Sequence, residues 1–235
     1  AATEAAQRAE SLLDEIEQNQ RDGIQPGVIS YNIVIDAWAK CGVQGSEQRA
    51  EKILRRMPAP DEISYNNVIR AYATSRQKGG LDDALRLLQE MEATHIPITP
   101  TSVTYNLIMD ALVRRGDLKS VKRAEEILVK MEKQFEAGNE MVQPNGVSYN
   151  ICINGFAKSG DPRAGEHAER LLKRMTVLSD KWDAAALSPD IISFTSVIDS
   201  YANSATKEGA ERAEKMLGTM MSTNSSVSPN RVTFN

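Results

Sequence analysis

Hydrophobic and polar residues follow a pattern in this chain that recurs at intervals of 34 to 45 residues. Each copy opens with an aromatic residue, and apolar residues stand three, four and seven positions after it. These apolar residues are Val34, Ile35 and Trp38; Val68, Ile69 and Tyr72; Ile108, Met109 and Leu112; Cys152, Ile153 and Phe156; and Val197, Ile198 and Tyr201. Such spacing places side chains on one face of an α-helix. Each copy is therefore predicted to begin with an amphipathic helix, which we call helix A.

A second helical pattern follows each helix A at a fixed distance. An alanine stands 19 residues after the aromatic, with apolar residues at +3 and +4 and usually methionine at +7. The copies begin at Ala50, Ala84, Ala124, Ala168 and Ala213, and a related pattern begins at Ala9, before the first helix A. This pattern predicts a second amphipathic helix, helix B, whose outer face is charged.

The ends of helix A and its close contacts are also indicated by residue type. A Ser or Thr directly before the aromatic is predicted to be the N-cap, because its side-chain oxygen can accept a free backbone N–H. Gly42, Gly116 and Gly160 are predicted to end three of these helices. The residue at +6 is always small, which allows another helix to approach closely. These small residues are Ala37, Ala71, Ala111, Gly155 and Ser200.

Repetition of a two-helix unit predicts an all-α fold, an α-solenoid of stacked antiparallel helix-turn-helix repeats. We expect the array to fill residues 1–235 as one domain. The expected divisions are a partial repeat with helix B alone at 1–27, full repeats at 28–61, 62–101, 102–145, 146–190 and 191–230, and the start of another at 231–235. Because both ends interrupt a repeat, we expect this chain to be a piece of a longer array.

Composition and charge narrow the classes of function. The chain is 41% hydrophobic and 26% charged, as in soluble globular proteins, and its net charge of −4 weighs against strong nonspecific binding to a polyanion. No apolar run reaches the roughly 18 residues of a membrane span. No nucleophile–base set, phosphate-binding glycine loop or metal-ligand cluster is present in the sequence. We therefore predict no enzyme activity in this segment, no cofactor, no metal, no membrane contact and no small-molecule substrate.

Three sequence motifs recur in one register. They are an opening V-[ST]-Y-N, as in Val103–Asn106, a helix B motif A-x2-[IL]-L-x2-M, and a closing P-[DN], as in Pro144-Asn145. In these motifs the chain resembles the pentatricopeptide repeat family over nearly its whole length. The resemblance implies a right-handed superhelix that binds single-stranded RNA, one base per repeat. It also implies a mitochondrial or chloroplast role in RNA processing, stability, editing or translation, with other RNA-processing proteins as further partners.

The resemblance further implies which residues contact RNA. In the family, the Asn after the aromatic and the last residue of the repeat together select the base. The corresponding pairs here are Asn32 with Asp61, Asn66 with Thr101, Asn106 with Asn145, Asn150 with Asp190, and Thr195 with Asn230. By the family's pairing habits they suggest U, an ill-defined pyrimidine, C (or U), U and A, read 5′ to 3′. A branched aliphatic residue packs against each base, and the residues implied are Ile29, Ile63, Val103, Val147 and Ile192.

A basic column near the end of helix A is implied to face the RNA backbone, since phosphate contacts set affinity and register. It consists of Lys40, Arg114 and Lys158. The Asp at +5, present as Asp36, Asp110 and Asp199, is interpreted as packing or salt-bridge support.

Other interpretations stay open at this stage. The repeated Asn could be structural and bond to a neighbouring helix end. The array could also be a protein- or peptide-binding scaffold, or the RNA-binding arm of a larger enzyme such as protein-only ribonuclease P.

Overall fold

The structure is a computed structural model that describes residues 2–18, 25–75, 77, 79–93, 98–204 and 206–222. Within those ranges the regular elements are all helical. They are α1 (Ala2–Gln18), α2 (Val28–Cys41), α3 (Ser46–Arg56), α4 (Glu62–Thr74), α5 (Gly80–Glu92), α6 (Ser102–Val113), α7 (Leu118–Glu136), α8 (Gly146–Lys158), α9 (Ala164–Lys181), α10 (Ile191–Ala202) and α11 (Lys207–Ser222), with short 3₁₀ helices at Glu140–Val142 and Ala185–Leu187.

The chain forms two compact units, Ala1–Ile108 and Met109–Asn235, here called unit 1 and unit 2. In unit 1, α2 packs against α1, α3 and α4, and α4 packs against α3 and α5. In unit 2, α8 packs against α7, α9 and α10, and α10 packs against α9 and α11. The helices A α2, α4, α8 and α10 therefore each contact their own helix B, the helix B before them and a neighbouring helix A. The predicted all-α fold of stacked helical hairpins is confirmed; the hand of the superhelix stays a prediction.

The core is made of the apolar columns that the periodicity predicted. All fifteen apolar residues assigned to helix A are buried, and the helix B pattern is buried throughout α5 and α9. In α1 the helix B pattern is only partly covered, since Leu12 and Ile16 are exposed while Leu13 is buried. Burial of these side chains is the main source of stability in a repeat protein, because each helix buries its apolar face only against its neighbours.

Tyrosine–glutamate hydrogen bonds join helix A to helix B, a feature the apolar pattern does not predict. The Tyr31 hydroxyl donates to Glu17 at 2.6 Å, and the Tyr65 hydroxyl donates to Glu90 at 2.7 Å. Burial, and then the neighbouring carboxylate, raise the pKa of both tyrosines to about 12. The same type of bond links Tyr72 to Glu51, Tyr105 to Glu92, Tyr149 to Glu132 and Tyr201 to Glu169. These bonds satisfy the polar end of each buried ring and fix the register of adjacent helices.

The predicted N-caps are wrong by three residues. Asp61 caps α4, where its Oδ1 accepts the Ser64 backbone N–H at 2.8 Å and Ser64 Oγ accepts the Asp61 N–H at 3.1 Å. The same reciprocal arrangement joins Asn145 to Ser148 and Asp190 to Ser193. The serine before the aromatic is thus the third helical residue of a capping box, and the cap is the last residue of the preceding repeat.

The predicted helix stops are confirmed. Gly42, Gly116 and Gly160 follow α2, α6 and α8 with φ of 66°, 71° and 68°, the left-handed region that glycine adopts without steric cost.

Candidate nucleic-acid interface

The five branched aliphatic residues expected to pack against bases are exposed in every case. Each is the second residue of its helix A, and the exposed fractions are Ile29 76%, Ile63 58%, Val103 55%, Val147 58% and Ile192 57%. Buried residues of the same type fill the core on the opposite side of these helices. One exposed apolar residue is ordinary, but the second residue is exposed in all five helices A. This recurrence indicates that an apolar side chain faces away from the core in every repeat.

Two of the predicted base-reading pairs are in direct contact. In unit 1, Asn32 Nδ2 donates to Asp61, 3.2 Å from Oδ1 and 3.4 Å from Oδ2. In unit 2, Asn150 Nδ2 donates to Asp190 Oδ1 at 3.2 Å, and Ser193 Oγ donates to Asn150 Oδ1 at 2.6 Å. Each Asn on one helix A therefore bonds to the cap of the next helix A. An amide and a carboxylate held side by side can face the donor and acceptor groups of a base edge.

Both aspartates of these pairs are held in the ionised form. Partial burial alone would raise the pKa of Asp61, but hydrogen bonds from Ser64 and Asn32 outweigh it and lower that pKa. For Asp190 the effect of burial is likewise outweighed by bonds from Ser193 and Asn150. The carboxylates are therefore charged at neutral pH and act only as acceptors.

The pair Asn66 and Thr101 is joined through a third residue that sequence reasoning missed. Asn66 Nδ2 donates to Glu62 Oε1 at 2.8 Å, and Thr101 Oγ1 donates to the same oxygen at 2.6 Å. Asn66 is 9% and Thr101 6% exposed, whereas Glu62 is partly exposed. The signal in the sequence is the spacing of four between Glu62 and Asn66, which places both on one face of α4.

The remaining pairs are described only in part. Asn106 of α6 belongs to unit 1, and Asn145, the cap of α8, belongs to unit 2. The Oδ1 of Asn106 is buried and has no hydrogen-bond partner in the described ranges. Thr195 lies in α10, and Asn230 lies outside the described residues.

A groove in unit 2 is lined by predicted site residues from three successive repeats. It has a volume of about 720 Å³. Asn145, Val147, Asn150, Asp190 and Ile192 all line it. Polar base-reading candidates and the aliphatic packing residues therefore share one open surface.

Two of the three residues of the basic column form ion pairs with acidic residues of their own helices. Lys40 Nζ lies 2.6 Å from Asp36 Oδ2, and Arg114 forms an ion pair with Asp110, each across one helical turn. These contacts confirm the interpretation as salt-bridge support for Asp36 and Asp110, whereas Asp199 forms no ion pair within the described residues. Lys158 is exposed, and Asn154 stands where the other two helices have aspartate. Because exposed ion pairs contribute little, all three basic side chains can turn toward a phosphate at small cost.

Within the described residues, no helix is long and apolar enough to cross a membrane, and no group of three or more His, Cys, Asp or Glu side chains could hold a metal ion.

Stacked helical hairpins with polar residues at one recurring edge define the class of protein: a helical repeat protein. Family models agree with this assignment. A pentatricopeptide repeat domain model matches residues 11–72, a PPR repeat family model matches residues 60–114, and a PPR repeat model matches residues 103–134 and 147–178. Together they cover more than half of the chain. The chain belongs to the pentatricopeptide repeat family, whose members are generally non-catalytic RNA-binding scaffolds of organelles.

Among solved structures, the chain is similar to the pentatricopeptide repeat protein PPR10 from maize. The match has 19% sequence identity and a TM-score of 0.40, and it covers 96% of this chain and 43% of that one. The chain thus spans less than half the length of the maize protein. No curated protein gives a significant sequence match.

Proposed function

We propose that this chain binds single-stranded RNA selectively, with one base at each of the repeats 28–61, 62–101, 102–145, 146–190 and 191–230. The observation that carries this proposal is the recurrence of an amide–carboxylate pair beside an exposed aliphatic residue. Asn32 with Asp61 forms this arrangement in unit 1, and Asn150 with Asp190 forms it in unit 2. Such a pair offers directional hydrogen bonds, which discriminate bases in a way that a charged surface cannot.

Each base in this proposal is held on two sides. Its flat face packs on the exposed aliphatic residue, and its Watson–Crick edge meets the Asn and the last residue of the repeat. The basic column of Lys40, Arg114 and Lys158 contacts phosphates. The strand selected by the five pairs, read 5′ to 3′, is U, a pyrimidine, C or U, U, and A.

The cellular role follows from the family and is proposed with it. The chain acts in RNA processing, stability, editing or translation in a mitochondrion or chloroplast, together with other RNA-processing proteins.

The test uses strands in which one base is changed at a time. Binding of 5′-U-C-C-U-A within an unstructured RNA is compared with a scrambled strand at two salt concentrations. Asp61→Asn and Asp190→Asn serve as matched variants, because Asn caps a helix about as well as Asp. Asp190→Asn is expected to move the fourth base from U toward C and leave the first unchanged, and Asp61→Asn is expected to do the reverse.

A different pattern would contradict the proposal. If all strands bind equally, with steep dependence on salt and no effect of either variant on base preference, binding is electrostatic alone. The protein-binding scaffold would then be the better interpretation.

A further inference from the structure

We propose that Glu62 is a third base-reading residue of the 62–101 repeat and makes that repeat select uracil. It supplies the carboxylate that Asp61 and Asp190 supply for two other repeats. This inference rests on the proposed RNA binding and assigns a specificity to the one repeat whose predicted pair, Asn66 with Thr101, leaves the pyrimidine undefined.

The hydrogen bonds around Glu62 reproduce the arrangement of the direct pairs. Asn66 Nδ2 donates to Glu62 Oε1 at 2.8 Å, as Asn32 Nδ2 donates to Asp61 at 3.2 Å. In both cases the amide of the helix A asparagine bonds to a carboxylate at the N-terminal end of a helix A. The difference is the source of the carboxylate, which in this repeat is the first residue of the same helix rather than the cap of the next one.

Thr101 has little hydrogen-bonding capacity left for a base. Its hydroxyl donates to Glu62 Oε1 at 2.6 Å and accepts the Val103 backbone N–H at 3.3 Å. It is also 6% exposed, and Asn66 is 9% exposed, so both predicted readers are largely covered. Glu62 is partly exposed and is therefore the polar group of this set that a ligand reaches most easily.

One oxygen of Glu62 is left for that ligand. The hydrogen bonds from Asn66 and Thr101 both go to Oε1, and within the described residues no donor is bonded to Oε2. A carboxylate oxygen accepts hydrogen bonds and cannot donate. The ring nitrogen at the centre of the uracil edge carries a hydrogen, whereas the same nitrogen of cytosine is an acceptor. A carboxylate facing that nitrogen therefore binds uracil and repels cytosine.

The arrangement is particular to this repeat. At the position of Glu62 the other helices A carry no carboxylate; the residues there are Val28, Ser102, Gly146 and Ile191.

The experiment compares RNAs that differ only at the second base, 5′-U-U-C-U-A and 5′-U-C-C-U-A. The unchanged protein is expected to prefer the first by about tenfold or more, the range for a hydrogen bond to a charged group. Glu62→Gln keeps an oxygen for Asn66 and Thr101 but loses the charge, so this preference is expected to disappear. Glu62→Ala combined with Thr101→Asp is expected to restore it, since a carboxylate returns at the end of the repeat.

The preference at the first and fourth bases separates this inference from the proposed function. Asp61→Asn is the matched control, because it removes a carboxylate from the neighbouring position and is expected to affect the first base alone. If uracil is preferred at the first and fourth bases, but Glu62→Gln leaves the second base unchanged, the inference about Glu62 is wrong and the proposed function stands. If the unchanged protein shows no preference at any base, both fail.

Discussion

Gly165 in α9 offers a sharp test of how closely the helices of unit 2 approach one another. A Cβ atom at this position would lie 2.2 Å from Cδ1, 2.5 Å from Cε1 and 2.7 Å from Cγ of Tyr201 in α10. Tyr201 is 6% exposed and its hydroxyl donates to Glu169. The ring therefore cannot move away without losing that bond and opening the core between the two helices.

The expected cost of Gly165→Ala follows from two opposing effects. Overpacking a buried contact costs about 1–3 kcal/mol. Replacing glycine in a helix recovers up to about 1 kcal/mol, because alanine has less backbone freedom to lose on folding. The variant is therefore expected to lose about 1–2 kcal/mol of the free energy of unfolding, which lowers the melting temperature by about 2–8 °C for a chain of this size.

Urea unfolding followed by circular dichroism measures this change, and Gly218→Ala is the matched control. Gly218 also lies in a helix, but a Cβ there would meet nothing within 4 Å. This control is expected to gain about 0.5–1 kcal/mol from helix propensity alone. If Gly165→Ala is as stable as the unchanged protein while Gly218→Ala gains stability, the close approach of α9 and α10 is refuted.

Three further predictions concern charged residues. Burial raises the pKa of Glu132 above its ordinary value of 4.5, so ionisation opposes folding as pH rises through that pKa. The stability of Glu132→Gln relative to the unchanged protein should therefore increase as pH rises above about 4.5 in urea unfolding, and a difference that stays constant with pH would contradict this sign. Asp61→Ala should lower the free energy of unfolding by about 0.5–2 kcal/mol through loss of the α4 cap, while Asp61→Asn should lower it much less. If thermal unfolding gives the two variants equal melting temperatures, the capping role is refuted. Lys158→Gln should reduce the salt dependence of RNA binding by roughly 0.7 in logarithmic slope, without changing base preference, and an unchanged slope would remove Lys158 from the phosphate contacts.

The core was predictable from the sequence because the hydrophobic effect buries apolar residues, which can be recognised by type alone. Every apolar position assigned to helix A is buried, including Cys152 and Trp38, which differ greatly in size and chemistry. The regular three-and-four spacing leaves one helical face for the core, whatever the neighbours are. The tyrosine–glutamate bonds were not predictable in the same way. Each helix B carries at least two glutamates, and only the folded structure decides which of them lies within hydrogen-bond distance of a given hydroxyl.

The N-caps were predicted at the wrong residue because two residues of each capping box are of types that commonly serve as N-cap. Ser64 and Asp61 both carry an oxygen that can accept a backbone N–H, and periodicity places a helix start only to within about one turn. Glu62 was missed for a related reason. Its spacing from Asn66 is visible in the sequence, but its bond to Thr101 spans 39 residues and forms only in the folded chain.

The corrected caps also change how the repeated asparagine is interpreted. A structural role, in which the Asn bonds to a neighbouring helix end, was the alternative to base reading. The structure shows that bond: Asn32 donates to Asp61, which caps α4. The two roles are compatible, because the capping box fixes the carboxylate and the carboxylate in turn orients the amide. A side chain held in this way loses little freedom when it meets a base, which favours both affinity and discrimination. Asp61 and Asp190 are therefore proposed to serve stability and recognition through the same atoms, and Asn is the substitution that separates the two effects.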